Sequence, residues 1–174
     1  TKYFFLKGMS MDLTIKILEE EDIGQDYVEW FLDTEIVRFS DNQYRKFTID
    51  GQKEYVRNCL ANTDIDLYGI FDGNWHIGNI AISGFISVHK KAEITYVVGD
   101  RKYWGKGVGS FAVFEISKKA INKYKLNKLY AGVADANVGS RRILEKNGFV
   151  IEGTRINHLF YEGQFCDQID YGLL

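Results

Sequence analysis

The chain contains no proline, where average usage of roughly 5% predicts about nine. Polyproline segments, proline-rich linkers and X-Pro switches are thereby excluded, and no stretch of linker composition divides the chain. Its two cysteines, Cys59 and Cys166, stand far apart. They form no C-x-x-C, no metal-ligand spacing and no disulfide framework, so both read as reduced thiols. The three histidines, His76, His89 and His158, are scattered rather than spaced as ligands on one helix, which predicts no metal. Long apolar runs are missing too: the longest wholly apolar or small run, 80–88 (IAISGFISV), is too short to span a bilayer. Excess charge of either sign is lacking, with 24 acids against 22 bases and a formal charge of −2; a nucleic-acid module is more often basic enough to neutralise several phosphates. No N-x-[ST] acceptor and no opening cationic and apolar leader occur. The expectation is a cytoplasmic protein with neither a membrane nor a nucleic acid as partner.

What the sequence does have is a large aromatic complement of 12 Phe, 11 Tyr and 3 Trp in 174 residues, 45% of them hydrophobic. That excludes whole-chain disorder and predicts one compact domain over 1–174, with 1–10 as a leader outside the core. Between Asp12 and Glu35, nine acids stand against one base, Lys16. Because Ile23, Tyr27, Trp30 and Phe31 recur at helical spacing, this stretch reads as a solvated amphipathic helix; the sharper reading is a field that attracts a cationic substrate. Leu13, Ile15 and Ile17 alternate as a strand, and Thr48 offers an N-cap to a helix carrying Val56, Cys59 and Leu60. Residues 66–72 and 75–82, joined by Asp72-Gly73-Asn74, read as a hairpin. A strand at 91–98 (KAEITYVV) runs into a glycine-rich loop and a helix over 107–124 with a stripe of Val113, Ile116, Ala120, Ile121 and Tyr124. A strand at 128–134 follows, then a short helix capped by Asn137 and ended by Gly148. Strand-like stretches on either side of Glu162-Gly163 close a second hairpin. This order predicts a mixed α+β fold with a mixed, mostly antiparallel sheet.

The chemistry concentrates in 99–110, GDRKYWGKGVGS. Gly105, Gly107 and Gly109 alternate at the mouth of a helix that follows a strand, so backbone N–H groups converge where the helix dipole adds positive potential. A pyrophosphate fits there. Arg101, Lys102 and Lys106 lie in or beside the loop, and Lys118, Lys119, Lys123, Lys125 and Lys128 follow with no acid after Glu115, which together predict a basic patch for an anionic cofactor. The spacing is neither the dinucleotide G-x-G-x-x-G nor a P-loop.

With AEITYVV (92–98), YWGKGVGS (103–110), LYAGV (129–133), NVGSRRILEKNGF (137–149) and EGTR (152–155) in this order, nearly the whole chain resembles the GNAT superfamily of acyl-CoA-dependent N-acetyltransferases. More narrowly, it resembles the branch related to the ribosomal-protein N-terminal acetyltransferases. The resemblance implies a splayed parallel strand pair with flanking helices and acetyl-CoA as cofactor. It maps the pyrophosphate motif onto Trp104, Gly105, Lys106, Gly107, Val108 and Gly109, beside Lys102 and Ser110, with Trp104 where Arg or Gln is usual. It implies that Val97, Val98 and Gly99 hold the pantetheine arm, that an N–H of Val97 or Val98 polarises the thioester carbonyl, and that Asn137 and Ser140 contact the arm. Glu93 matches the general base that takes a proton from the acceptor ammonium. The general acid, often a Tyr, falls on Leu144; Ser140, Tyr130 or Tyr161 can substitute, or the thiolate leaves unassisted.

For the acceptor, 30–40 (WFLDTEIVRFS) with Tyr44-Arg45 resembles members that acetylate amino groups of nucleotide-linked sugars, with Arg38 or Arg45 meeting a phosphate and Phe39 or Tyr44 stacking on a ring. Either arginine can instead pair with the acidic first helix. His158 and Tyr161 are further acceptor-pocket candidates. A protein N-terminal amine and a polyamine are the other acceptors considered, and a non-catalytic CoA-binding module is the reading of another class. A monomer, or a homodimer through the terminal hairpin, is expected.

Overall fold

The computed structural model describes residues 4–6, 9–86 and 88–174. Of the stretch expected as a leader, Phe4–Leu6 (β1) pairs antiparallel with Met9–Met11 (β2) in a small sheet of its own; 1–3, 7 and 8 lie outside the described residues. Leu13–Ile17 (β3), Ile65–Asp72 (β4), Trp75–Ile86 (β5), Lys91–Val98 (β6), Lys128–Ala134 (β7), Val150–Tyr161 (β8) and Gln164–Leu173 (β9) form one sheet in the order β3-β4-β5-β6-β7-β9-β8. The β6–β7 pair is parallel and every other neighbour is antiparallel. This is the mixed α/β fold that the residue pattern predicts.

Local chemistry fixes the turns. Glu162 and Gly163 both carry positive φ, 54° and 78°, which is the two-residue turn whose twist matches a hairpin. Thr48 accepts from the Gly51 amide at the start of Ile49–Ala61 (α3), and Gly148, φ 84°, follows Val138–Lys146 (α5). The acidic stretch is not one helix. It divides into a 3₁₀ turn at Glu20–Asp22, Gln25–Leu32 (α1) and Thr34–Val37 (α2), because the Asp33 side chain accepts the Glu35 amide at 2.9 Å and starts a new helix. Several of its acids are neutralised within the fold: Asp22 by Lys16 at 2.7 Å and Glu20 by Arg57 at 2.7 Å.

The sheet carries one apolar layer on each face. Val108–Tyr124 (α4) and α5 cover one, where Val113, Ile116, Ala120 and Leu144 meet Ile80, Ile82, Ile94 and Tyr171. On the other, Tyr27, Trp30 and Phe31 of α1 and Val56 and Cys59 of α3 meet Leu67, Phe71 and Ala81. His76 is the keystone of that second layer. Its ring stacks on Phe71 at 4.9 Å and Tyr27 at 5.6 Å, and one ring nitrogen lies 2.8 Å from Asn79 Oδ1.

Burial holds the His76 imidazole below its ordinary 6.5, so the unfolded chain binds a proton that the fold refuses, and stability drops as pH falls below that value. The expected result is a urea midpoint that falls more steeply from about pH 7 to about pH 5 in the native chain than in His76→Phe; parallel slopes would remove His76 as the cause.

Candidate active site

The parallel pair is short. Lys91, Ala92 and Glu93 pair with Lys128, Leu129 and Tyr130, after which β6 runs on to Val98 and β7 to Ala134 with no further rung between them. A wedge opens in the middle of the sheet, about 16 Å long at the rise of an extended strand. Glu93 stands at its closed end.

Strand alternation decides what the wedge presents. Asn79 lies opposite Val97, and the Gly99 amide donates to Ile77 O at 2.8 Å. The N–H and C=O of Val97 therefore face β5, while those of Tyr96 and Val98 face the gap. Of the three residues expected to hold a pantetheine arm, Val98 turns its amide into the gap, whereas those of Val97 and Gly99 are bonded into the sheet, which leaves them no free amide for that role. Gly99 serves packing instead, since a Cβ there would come within 1.9 Å of the Trp30 ring.

Past β6, a 3₁₀ turn at Arg101–Tyr103, capped by Asp100, leads into the glycine loop. Gly105 and Gly107 take φ 72° and 81°, and Gly107 is the N-cap of α4 with no side chain capping it. The first amides of the helix, at Val108, Gly109 and Ser110, are thus left to whatever lies in front of them. Trp104 ties the loop to the strand, its indole Nε1 donating to Val98 O at 2.8 Å. Lys102 and Lys106 flank this cradle, the first exposed and the second half-buried. The larger basic patch expected from sequence does not assemble: α4 carries Lys118 and the lysines after it about 15 Å or more from the loop. Lys123 pairs with Asp66 at 2.9 Å, Lys119 lies over the Tyr68 ring and Lys128 pairs with Glu152.

The two faces of the wedge differ. On the α1 face lie Glu93, Thr95 and Val97 of β6 and, across the wedge, Tyr130 and Gly132 of β7, with Asp170 beside Gly132 and held by Arg155 at 2.7 Å. Half-burial strips water from Glu93 and lifts its carboxyl above the ordinary 4.5, with Arg155 pulling weakly the other way. On the α5 face, the Asn137 side chain accepts the Ser140 amide as N-cap. There the Ser140 hydroxyl lies 2.7 Å from Tyr96 Oη, a contact that crosses the gap. Tyr96 was not among the expected site residues; its alternation with Val98 in TYVV is the signal that places it. Leu144 is fully buried in the core, so its position offers nothing to the gap.

The expected acceptor residues come together, but as a strap. Arg38 makes a two-pronged pair with Glu162 at 2.8 and 3.0 Å, Tyr44 donates to Phe160 O at 2.9 Å, and Tyr161 donates to Asp41 at 3.0 Å with Phe39 edge-on to its ring. The hairpin reaches α2 through a bulge, where Asn157 takes φ 49° and Asp167 accepts its amide. Arg38 is thereby matched with a carboxylate rather than left for a phosphate, and Tyr161 is removed from the candidate proton donors. His158 is exposed on β8, outside the strap contacts. Among the described residues, no group of His, Cys, Asp and Glu is arranged to hold a metal, and no helix is long and apolar enough to cross a membrane.

The family model described as acetyltransferase (GNAT) domain matches residues 12–150. Two curated proteins of Bacillus subtilis (strain 168) are similar over most of their length. YjcK, named as a probable N-acetyltransferase, is 30% identical over 85% of this chain and 83% of its own. YdaF, provisionally named a ribosomal N-acetyltransferase, is 27% identical over 93% of this chain and 91% of its own. Among solved structures, spermidine N-acetyltransferase from Vibrio cholerae in complex with CoA and spermine superimposes with a TM-score of 0.82 at 20% identity. That match covers 93% of this chain and 95% of that one, a likeness of fold.

Because Gly107 occupies a left-handed conformation that costs a side chain about 1–2 kcal/mol, Gly107→Val displaces the loop amides. Calorimetric titration should show acetyl-CoA binding weakened about tenfold or more; an unchanged Kd would remove this loop from the cofactor site.

Proposed function

The chain belongs to the acetyltransferase (GNAT) family, and from that premise we propose that its acceptor is the α-amino group of a protein N-terminus, acetylated by direct attack on acetyl-CoA in a ternary complex. Acetyl-CoA-dependent N-acetyl transfer is the activity of the family; the acceptor and the residue roles are our reading. The observation that carries it is the wedge with Glu93 at its closed end. The loop amides from Gly105 to Ser110 receive the pyrophosphate, with Lys102 and Lys106 beside it, and the Val98 amide donates to the thioester oxygen as charge develops there. Glu93 takes the ammonium proton, directly or through water, and its raised pKa suits a base that must hold that proton and release it.

The electrostatics favour an α-amino group over the alternatives. Such an amine has an ordinary pKa of about 7.7–8.0, so much of it is neutral near physiological pH and one half-buried carboxylate suffices. A polyamine calls for an unpaired acidic surface; Glu20, Asp22 and Asp33 are matched with bases, which thins the field of the nine-acid stretch, and the remaining acids are what a polyamine would meet. A nucleotide-linked sugar calls for a free cation; Arg38 is engaged by Glu162, which leaves exposed Arg45 as the cation for that reading. The provisional name of YdaF points the same way.

The test compares N-terminal peptides, spermidine and amino-sugar nucleotides by thiol release. Peptides should be acetylated best; preference for either other class would overturn the acceptor. Glu93→Gln should lower kcat by about 100-fold while acetyl-CoA affinity holds within about twofold. In that variant the break at the raised Glu93 pKa should vanish from the rate profile, leaving only the loss of rate that protonation of the amine itself causes as pH falls; unchanged turnover would remove Glu93 as the base.

A further inference from the structure

The α1 face of the wedge carries a charged group that the chemistry above leaves idle. Arg155 stands on β8, and its Nε donates to Asp170 Oδ2 at 2.7 Å, while Gln168 Nε2 donates to Asp170 Oδ1 at 2.7 Å. Among the described residues Arg155 makes no other hydrogen bond, and its side chain is half exposed. Asp170 therefore fixes the guanidinium by one nitrogen and leaves its two Nη groups as a fork of donors. Strand β7 clears the way for that fork. Gly132 lies opposite Asp170, two positions past Tyr130 of the last parallel rung, and a Cβ there would come within 2.5 Å of Gln168 Nε2. The Tyr130 ring leans the other way, toward Gly84 and under Lys91. At the level of Asp170, β7 thus contributes only backbone. Burial lifts the Glu93 carboxyl and the Arg155 charge opposes it, so fork and base face the same space.

We propose that Arg155 donates to the carbonyl oxygen next to the acceptor's amino group, and that this contact selects an α-amino group over an alkylamine. It rests on the N-terminal-amine reading above. In any N-terminal residue that carbonyl stands two bonds from the attacking nitrogen, so a nitrogen placed at Glu93 brings the oxygen with it. Glu93 and Asp170 sit two strands apart, about 10 Å between backbones, and the Glu93 and Arg155 side chains reach into that interval from its two ends. One residue of the acceptor fills what is left. A carbonyl accepts from a guanidinium in a charge-assisted bond. A polyamine has no acceptor at that distance and brings a second cation, which the guanidinium repels. Asp170 is the positioning residue: with Nε tied down, the fork is kept over β7 instead of swinging into solvent.

The experiment crosses two enzymes with two substrates, using the full chain and acetyl-CoA. The enzymes are the native chain and Arg155→Met; the substrates are an alanyl peptide and the same peptide with its first carbonyl reduced to a methylene. The difference in amine basicity is common to both enzymes and cancels in the double ratio of kcat/KM. Arg155→Met should lose about 10- to 100-fold on the alanyl peptide, as for one hydrogen bond to a charged group, most of it in KM. That loss should exceed the loss on the reduced peptide by about tenfold or more. Arg155→Lys, which keeps the charge without the fork, should fall between. Asp170→Asn should raise the peptide KM by roughly threefold with little change in kcat, and should add almost nothing on the Arg155→Met background. Equal losses on the two substrates, or no loss on the alanyl peptide, would overturn the role of Arg155 while leaving N-terminal acetylation intact. A native chain that acetylates spermidine or an amino-sugar nucleotide in preference to peptides would instead overturn the acceptor reading, and this contact with it.

Discussion

Three parallel rungs between β6 and β7, and then no more, are the constraint on which everything else in this molecule depends. A sheet interior normally satisfies its backbone by pairing, and unpaired N–H and C=O groups there are costly. The fold leaves the Tyr96 and Val98 edge of β6 unpaired and holds the strands apart by other means. The Tyr96–Ser140 contact bridges the opening, the capped first turn of α5 occupies its rim, and the Trp104 indole covers the Val98 carbonyl. Beside the opening the flanking strands stay paired on their outer sides, Glu93 to Val98 with β5 and Leu129 to Ala134 with β9, so the opening is local and the rest of the sheet carries its stability. A ligand with its own amides can complete the missing rungs.

From that opening follows a division of labour between faces. The α5 side has the glycine loop, the uncapped start of α4 and the hydroxyl pair, which suit phosphate and sulfur. The α1 side has Glu93, Thr95 and the polar row reaching Asp170, which suit an amine and its proton. The strap of Arg38, Asp41 and Tyr44 onto the Phe160–Glu162 tip closes the second side without touching the first.

Elements set by neighbouring residues were legible in the sequence. Caps at Thr48 and Asn137, the left-handed Gly148, the Glu162-Gly163 turn and the glycine loop all follow from chemistry within a few positions, and the alternation of AEITYVV gave the faces of β6. What escaped was set by partners far along the chain. Arg38 and Glu162 are 124 residues apart and Tyr96 and Ser140 are 44 apart, so no local signal announces either pair. The lysines of α4 read as a single patch because the partners that occupy Lys119 and Lys123, the Tyr68 ring and Asp66, stand 51 and 57 positions away and are invisible until β4 is packed beside the helix. The split of the acidic helix at Asp33 is intermediate: an Asx cap is a local device, but helical periodicity through Trp30 and Phe31 masked it.

Backbone amide NMR during titration with acetyl-CoA tests the open wedge most directly. The Val98 amide and those of 105–110 should shift and become protected from exchange, while Val97 and Gly99, already bonded toward β5, stay nearly still. Shifts concentrated away from the β6–β7 gap, or equal movement of Val97, Val98 and Gly99, would contradict the seat assigned to the cofactor.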